Sequence, residues 1–292
     1  MQTPLRDALD RLDKLAEGAD RDELAKVRDR LDSARLRVLV AGEAKRGKST
    51  LVNALLGRDV LPAGVTPLTA VPATVVLASP AQEGIEVSYS DGGTGRFPLS
   101  ELPVFGTEQG NPANCRHVSG LTVGLNAPIL ARGVEIVDTP GTGSVHAHNT
   151  AAAEAALPSM DAAIFVLTAD PPVSASEREL LRRVAGLSVA LFVVLNKADY
   201  LDASSLAEAV QFTGLVVAEA TGRPERIYPV SARAAAGDAG FAAFEADFTA
   251  FLDSGRVAGL EQSVTRHARR ITQQLIDEVA LAQRAARLPG EY

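Results

Sequence analysis

The 292-residue sequence has a single cysteine and no tryptophan, and its aromatic residues amount to only 4%. One cysteine excludes intramolecular disulfides and cysteine-based zinc sites, which favours a reducing, cytoplasmic compartment. We expect Cys115 to be a small buried residue. Because aromatic residues are scarce, the core should be aliphatic, and no aromatic stripe is available to stack nucleic acid bases.

A basic excess and a long apolar run are also missing. The net charge is −7, whereas a nucleic-acid-binding chain normally concentrates basic residues on one face, so we expect no nucleic acid partner. No apolar run reaches the roughly 18 residues that span a bilayer, and the N-terminus lacks an apolar signal-peptide core. A hydrophobic share of 46% is enough for a buried core.

Three regions differ in their hydrophobic pattern. Residues 1–35 and 256–292 carry apolar residues at helical spacing, which predicts amphipathic helices that pack against each other. In the first region, Asp20 and Glu23 form a capping-box pattern that predicts a helix start after Gly18. Residues 36–255 alternate short aliphatic runs with helical stretches, which predicts a three-layer α/β domain with a mostly parallel sheet and helices on both faces.

The clearest predicted strands of this domain end in Gly, Pro, Asn or Asp. They cover residues 36–41, 74–78, 134–137, 162–167, 190–195 and 227–230. The stretches "IEVSYSDGG" and "VSGLTVGL" are predicted edge strands around a loop-rich insert.

The stretch "GEAKRGKS" at residues 42–49 directly follows the first predicted strand and fits the phosphate-loop pattern G-x-x-x-x-G-K-[ST]. Its glycines let the backbone wrap a polyphosphate, Lys48 reaches the β- and γ-phosphates, and the Ser49 hydroxyl holds Mg²⁺. The helix that follows directs its amide dipoles at the anion. The predicted nucleotide contacts here are Gly42, Glu43, Ala44, Lys45, Arg46, Gly47, Lys48, Ser49 and Thr50.

A second motif, "VEIVDTPG", ends a predicted strand with Asp138 and places Gly141 three residues later. A carboxylate at the end of a strand can complete the Mg²⁺ shell, and the Gly141 N–H can meet the γ-phosphate. After the phosphate loop, this motif therefore predicts a second part of the same site.

A third motif, "NKAD", supplies Asn196, Lys197 and Asp199 after another strand. Guanine presents two N–H donors on one edge, and the Asp199 carboxylate can accept both, whereas adenine would leave that carboxylate unpaired. Asn196 should brace the loop, and the Lys197 stem should cover a ring face. In the later stretch "PVSAR", the backbone of Ser231 and Ala232 should support the guanine carbonyl, and Arg233 is a further predicted nucleotide contact, so we expect GTP and GDP as ligands.

These motifs, with "LPAGVTPLTAVPATV" and "DTPGTGSVHAHNT", resemble dynamin-related GTPases of the bacterial dynamin-like kind over about residues 30–255. The resemblance implies Mg²⁺-dependent GTP hydrolysis, pairing of two GTPase heads and membrane remodelling. It also implies that Thr69 in switch I binds Mg²⁺ and orients the attacking water, with Thr66 as the competing position. We expect the chain to be the GTPase-and-bundle portion of a longer protein that is cytoplasmic and peripheral at the inner face of the cell membrane, reaching lipid through parts outside this chain.

Two departures from the family pattern affect catalysis. Thr142 follows Gly141 where Ras-like proteins carry a water-orienting glutamine, so Thr69 or the main chain must hold the attacking water. Ala44 and Lys45 stand where eukaryotic dynamins carry Gln-Ser, which puts a monovalent-cation requirement in doubt. Lys45 matches the arginine finger of guanylate-binding relatives and is a candidate for the missing charge; alternatively, Lys45 and Arg46 are solvated or pair with a neighbouring subunit. The predicted catalytic residues are Lys45, Lys48, Thr69 and Gly141, and the predicted metal ligands are Ser49, Thr69 and Asp138.

Two other functions compete with this interpretation. A slow GTP-binding switch could recruit a protein effector without a membrane role. A ribosome-assembly GTPase is disfavoured by the acidic net charge.

Overall fold

The computed structural model describes residues 3–16, 18–33, 35–63, 71–139, 157 and 160–287. Its strands are β1 (Leu36–Ala41), β2 (Ala73–Leu77), β3 (Gly84–Tyr89), β4 (Thr94–Phe97), β5 (Val118–Leu125), β6 (Val134–Asp138), β7 (Ala162–Thr168), β8 (Ala190–Asn196) and β9 (Ile227–Val230). Its α-helices are α1 (Thr3–Asp13), α2 (Gly18–Ser33), α3 (Lys48–Leu56), α4 (Leu102–Gly106), α5 (Ala175–Leu187), α6 (Ala203–Thr221), α7 (Ala239–Ala250) and α8 (Arg256–Arg287). The chain divides into two compact units, one of Leu36–Arg256 and one of Met1–Arg35 with Val257–Tyr292.

Within the described residues, the strands of the larger unit form one mixed sheet in the order β4-β3-β5-β2-β6-β1-β7-β8-β9. Strands β6, β1, β7, β8 and β9 run parallel, while β2 is antiparallel to β6. Helices lie on both sides of the sheet, which confirms the predicted three-layer α/β fold. The carboxyl ends of the five parallel strands therefore meet at one edge, where α/β proteins bind ligands.

The central strands are buried because their sequences are continuous apolar runs, as expected for parallel strands covered on both faces. All seven residues of β7, "AAIFVLT", are buried. Phe165 and Leu167 of this strand pack in one cluster with Leu39 of β1 and with Leu181 and Val184 of α5. This core holds the strand ends in place for the site above it.

The insert between β2 and β6 is more regular than the sequence indicates. The two predicted edge strands form as β3 and β5, but both are interior, and the outer strand is β4, which the sequence analysis missed. The prediction for Cys115 was also wrong, because its side chain is exposed in the turn that precedes β5.

An aromatic cluster corrects the expectation of a purely aliphatic core. Phe244 and Phe248 of α7 lie on one helix face and are fully buried. Phe192 of β8 contacts Phe248 with ring centroids 5.3 Å apart, and Tyr228 of β9 lies 5.6 Å from Phe244. Phe192, Tyr228, Phe244 and Phe248 thus gather under one helix, where edge-to-face pairs stabilise its packing on the sheet.

The smaller unit is helical. Helices α1 and α2 form an antiparallel pair with ion pairs from Arg6 to Asp32 and from Arg28 to Asp10, both at 2.6 Å. Helix α2 begins at Gly18, two residues before the predicted N-cap Asp20, so that prediction was wrong. Among the described residues, none of the helices combines the length and the hydropathy needed to cross a membrane.

Candidate nucleotide-binding site

The loop between β1 and α3 is built around two glycines in the left-handed half of φ space. Gly42 has a φ of 142° and Gly47 a φ of 93°. A Cβ atom at Gly42 would lie 2.4 Å from the Val166 carbonyl oxygen of β7, and one at Gly47 would lie 2.2 Å from the Asn196 amide nitrogen. Only glycine therefore allows this loop to approach the neighbouring strands so closely.

Gly42→Ala should lower the free energy of unfolding of the nucleotide-free protein by about 2–4 kcal/mol, because the added Cβ would meet a backbone oxygen that cannot rotate away. Gly57→Ala is the control: Gly57 also has a positive φ of 67°, but nothing lies within 4 Å of its Cβ position. The free energy of unfolding of that variant should fall by only about 1–2 kcal/mol, the cost of a left-handed backbone conformation at a residue with a Cβ atom. Urea denaturation measures both, and equal losses would contradict the steric argument.

Lys48 lies inside the loop. Its side chain is buried, and Nζ donates hydrogen bonds to the carbonyl oxygens of Gly42 at 3.1 Å and Glu43 at 3.0 Å. Burial lowers the pKa of Lys48, and nearby carboxylates, Asp138 foremost, oppose that shift. A buried ammonium group surrounded by loop carbonyls is placed to meet an anion enclosed by the same loop.

Ser49 and Asp138 lie side by side although 89 residues separate them. The Ser49 hydroxyl donates to Asp138 Oδ2 at 2.6 Å. Burial raises the pKa of Asp138, while the Lys48 charge and the Ser49 hydroxyl lower it. Asp138 Oδ1 is buried and accepts no hydrogen bond from the described residues. A buried carboxylate with a free oxygen beside a hydroxyl fits a hard divalent cation such as Mg²⁺.

Thr139, the residue after Asp138, is a structural contributor that the sequence analysis missed. Its hydroxyl donates to the Val40 carbonyl oxygen at 3.0 Å, and its side chain is buried. This bond ties the end of β6 to the end of β1, so it aligns Asp138 with the phosphate loop. Threonine in "DTPG" was the available signal, since a buried hydroxyl needs a partner.

The "NKAD" and "PVSAR" segments meet at the ends of β8 and β9. Asn196 connects both to the phosphate loop, because its amide donates to the Arg46 carbonyl at 2.9 Å and accepts from the Ala232 N–H at 3.1 Å. The Ser231 hydroxyl donates to Asp199 Oδ1 at 2.7 Å, and Asp199 is otherwise exposed. The structure thus brings the predicted base-recognition residues together beside the phosphate loop.

Five other predicted contacts lie at the rim of this site. Lys45 is exposed and has a φ of 66°, a left-handed conformation that is unusual for a residue with a side chain. Lys197 is half-buried with a φ of 64°. Ala44 and Thr50 are half-buried in the loop and in the first turn of α3. Arg233 lies in the turn after β9 with an exposed side chain.

Arg46 is the clearest departure from the sequence analysis. The alternative that Lys45 and Arg46 are solvated or pair with a neighbouring subunit does not hold for Arg46, which is 3% exposed and forms an ion pair with Glu177 of α5 at 2.6 Å. Its guanidinium therefore points into the protein, and only its backbone belongs to the phosphate loop. Glu177, 131 residues away, had no signal for this role in the sequence.

Two predicted catalytic residues lie outside the described residues. They are Thr69 and Gly141, and the competing position Thr66 and the neighbouring Thr142 lie there too. Their roles stay predictions.

The site combines a glycine loop, a buried lysine, a hydroxyl–carboxylate pair suited to Mg²⁺ and, at the position predicted for base recognition, a carboxylate that accepts a hydrogen bond from Ser231. All four lie at the carboxyl ends of neighbouring parallel strands. This arrangement defines the nucleotide-binding domain of a P-loop GTPase.

The sequence profile of the Dynamin family matches residues 38–198, more than half of the chain, and the chain belongs to this family. An uncharacterized protein from the xynA 3' region of Caldicellulosiruptor sp. (strain Rt8B.4) is 34% identical, over 80% of this chain and 59% of that protein. The bacterial dynamin-like protein of Nostoc punctiforme is 28% identical, over 64% of this chain and 28% of its own.

A solved structure of an oligomerised bacterial dynamin pair shares the fold, with a TM-score of 0.64 at 20% identity over 88% of this chain and 42% of that chain. The predicted resemblance to bacterial dynamin-like proteins is thereby confirmed. This chain spans less than two thirds of the length of each of these relatives.

Proposed function

We propose that this chain binds GTP with Mg²⁺ and hydrolyses it to GDP and phosphate. The observation that carries the proposal is the convergence of residues 42–49, Asp138, Asn196 to Asp199 and Ser231 at one edge of the sheet. Sequence pattern alone leaves the "DTPG" and "NKAD" motifs weak. Their joint placement at neighbouring strand ends, bridged by hydrogen bonds, supports a single nucleotide site.

In this proposal each residue has a defined task. Lys48 neutralises charge on the β- and γ-phosphates, and Asp199 accepts the two guanine N–H donors. Ser49 and Asp138 would hold Mg²⁺, with Thr69 as the third protein ligand. Bound Mg²⁺ supplies positive charge against the phosphate oxygens. Thr69 and the Gly141 N–H orient the attacking water and the γ-phosphate.

Lys45 is proposed to stabilise the transferring phosphoryl group. It lies on the loop, is exposed, and is free to turn its ammonium group towards charge that develops during hydrolysis. This supply of charge would make a bound monovalent cation unnecessary. Turnover that needs added potassium would contradict this part of the proposal.

Lys45→Ala should slow GTP turnover about 100-fold, the order of magnitude of one transition-state contact, while GDP affinity stays within about threefold. Alanine carries the same Cβ as lysine, so the left-handed backbone strain is unchanged and the variant isolates the charge. Lys45→Arg is the matched control and should retain most turnover. Equal turnover by Lys45→Ala and the unaltered protein would make Lys45 a surface charge.

Head pairing and membrane remodelling are further parts of the proposal. They are supported by membership of the dynamin family and by the likeness to the fold of an oligomerised bacterial dynamin pair. In this proposal the protein acts at the inner face of the cell membrane, with lipid contacts made by parts of the protein outside this chain.

The deciding experiment measures GTP turnover per molecule against protein concentration, with and without potassium. Turnover that rises with concentration supports pairing of heads. Flat, very slow turnover favours the switch that recruits an effector. Absence of GTP hydrolysis under all conditions overturns the proposal. Liposome binding is measured in parallel on a chain that includes the remainder of the protein.

A further inference from the structure

Helix α5 holds the phosphate loop on both sides of Lys45. On one side, Glu43 Oε1 accepts hydrogen bonds from the hydroxyls of Ser174 at 2.6 Å and Ser176 at 2.5 Å. On the other side, Arg46 binds Glu177 through two parallel hydrogen bonds, Nε to Oε1 at 2.8 Å and a terminal nitrogen to Oε2 at 2.6 Å. The first turn of α5 thus contacts both residues that enclose Ala44 and Lys45.

The hydrogen bonds of Arg46 hold its guanidinium group in a fixed orientation. The guanidinium also donates to the Thr168 hydroxyl and to the Pro171 carbonyl oxygen, so all of its nitrogens are engaged. Arg46 and Glu177 side chains are 3% and 0% exposed. A buried, bidentate arginine–carboxylate pair fixes orientation as well as distance, which a lysine could not do.

Glu177 fixes the start of α5 at the same time. Its carboxylate accepts the Ser174 N–H at 3.0 Å, while the Ser174 hydroxyl accepts the Glu177 N–H at 3.1 Å, which is a capping box. One carboxylate therefore orders the helix start and the phosphate loop together. Movement of one would require movement of the other.

Lys45 is the residue that this double anchor constrains. Its left-handed φ of 66° is costly for a residue with a side chain and persists only where the surroundings impose it. Its neighbours Glu43 and Arg46 are fixed by α5, whereas Lys45 itself is exposed. We propose that Glu43, Arg46 and Glu177 are positioning residues that present Lys45 to the transferring phosphate.

This inference rests on the catalytic role proposed for Lys45. It assigns α5 a function in hydrolysis beyond packing on the sheet. The competing explanation is that the ion pair only stabilises the fold. The two explanations differ in whether substitution of Arg46 lowers kcat only when Lys45 is present.

A double-mutant cycle distinguishes the positioning role from a purely structural role. Arg46→Lys keeps the charge but loses the bidentate geometry, and it should lower kcat for GTP about tenfold while GDP affinity changes less than about threefold. In a Lys45→Ala background, Arg46→Lys should cause no further loss, because the residue that it positions is already gone. Arg182→Lys, on the exposed face of the same helix, is the matched control and should leave both values unchanged.

Ser176→Ala is the second variant, since Ser176 is exposed and its loss should not impair folding. It removes one hydrogen bond to Glu43 and should lower kcat about threefold, again only when Lys45 is present. This variant decides the question if Arg46→Lys does not fold.

Several outcomes would overturn the inference: additive losses in the cycle, an unaltered kcat for Arg46→Lys, a parallel fall of kcat and GDP affinity, or full turnover by Lys45→Ala. None of these removes the proposed GTPase activity. That activity fails separately, if the unaltered protein does not hydrolyse GTP.

Discussion

Replacing Lys48 by alanine should abolish measurable nucleotide binding, with the dissociation constant for GTP rising at least about 1,000-fold. Lys48 Nζ already lies within hydrogen-bond distance of two loop carbonyls, at the centre of the loop. Charge-assisted hydrogen bonds contribute about 1.5–3 kcal/mol each, so the loss of two or three of them to phosphate oxygens amounts to several powers of ten. Titration with a fluorescent GTP analogue measures the loss directly.

The fold should survive this change. Burial disfavours the charged form of Lys48 and so lowers its pKa, which means that removing the amine also removes a desolvation cost. Thermal unfolding without nucleotide should therefore stay cooperative. Lys14→Ala, at an exposed position in the smaller unit, is the control and should bind GTP as the unaltered protein does. A folded Lys48→Ala variant with micromolar GTP affinity would contradict the loop assignment.

The phosphate loop, strand β1 and helix α3 could be placed from the sequence because their signals are local. A glycine-rich loop between an apolar run and a helix fixes β1 and α3 without reference to the rest of the chain. The predicted strand 36–41 matches β1, and Asp138 and Asn196 end β6 and β8 as their motifs indicate. Motif order along a parallel sheet then predicts that the motifs meet at one edge.

The features that were missed depend on distant parts of the chain. Glu177 in "SASE" carries a capping signal, but nothing local shows that a phosphate-loop arginine is its partner. Strand β4 is short, "TGRF", and forms because β3 offers it an edge to pair with. The aromatic cluster arises from phenylalanines on α7 and β8 that only the folded sheet brings together. The composition gives the number of aromatic residues, but it does not show which of them contact one another in the folded chain.

Replacing Asp199 by asparagine should change the preferred ligands from guanosine to xanthosine nucleotides. Guanine offers two N–H donors, whereas xanthine replaces the exocyclic amine by a carbonyl, so one donor and one acceptor face the side chain. A carboxylate accepts twice and suits guanine; an amide accepts once, donates once and suits xanthine. Loss of one charge-assisted bond and one mismatched contact should weaken GDP binding about 100-fold, with a gain in xanthosine diphosphate affinity of similar size.

The structure indicates that this substitution should change the base preference without moving the loop. The Ser231 hydroxyl donates to Asp199 at 2.7 Å, and the amide oxygen of asparagine can accept the same bond, so the loop should keep its position. Asp202→Asn is the matched control, because Asp202 caps α6 three residues later and asparagine caps equally well. That variant should keep the guanosine preference. Calorimetric titration of both variants with both diphosphates decides the matter, and a guanosine preference retained by Asp199→Asn would show that the base is selected elsewhere.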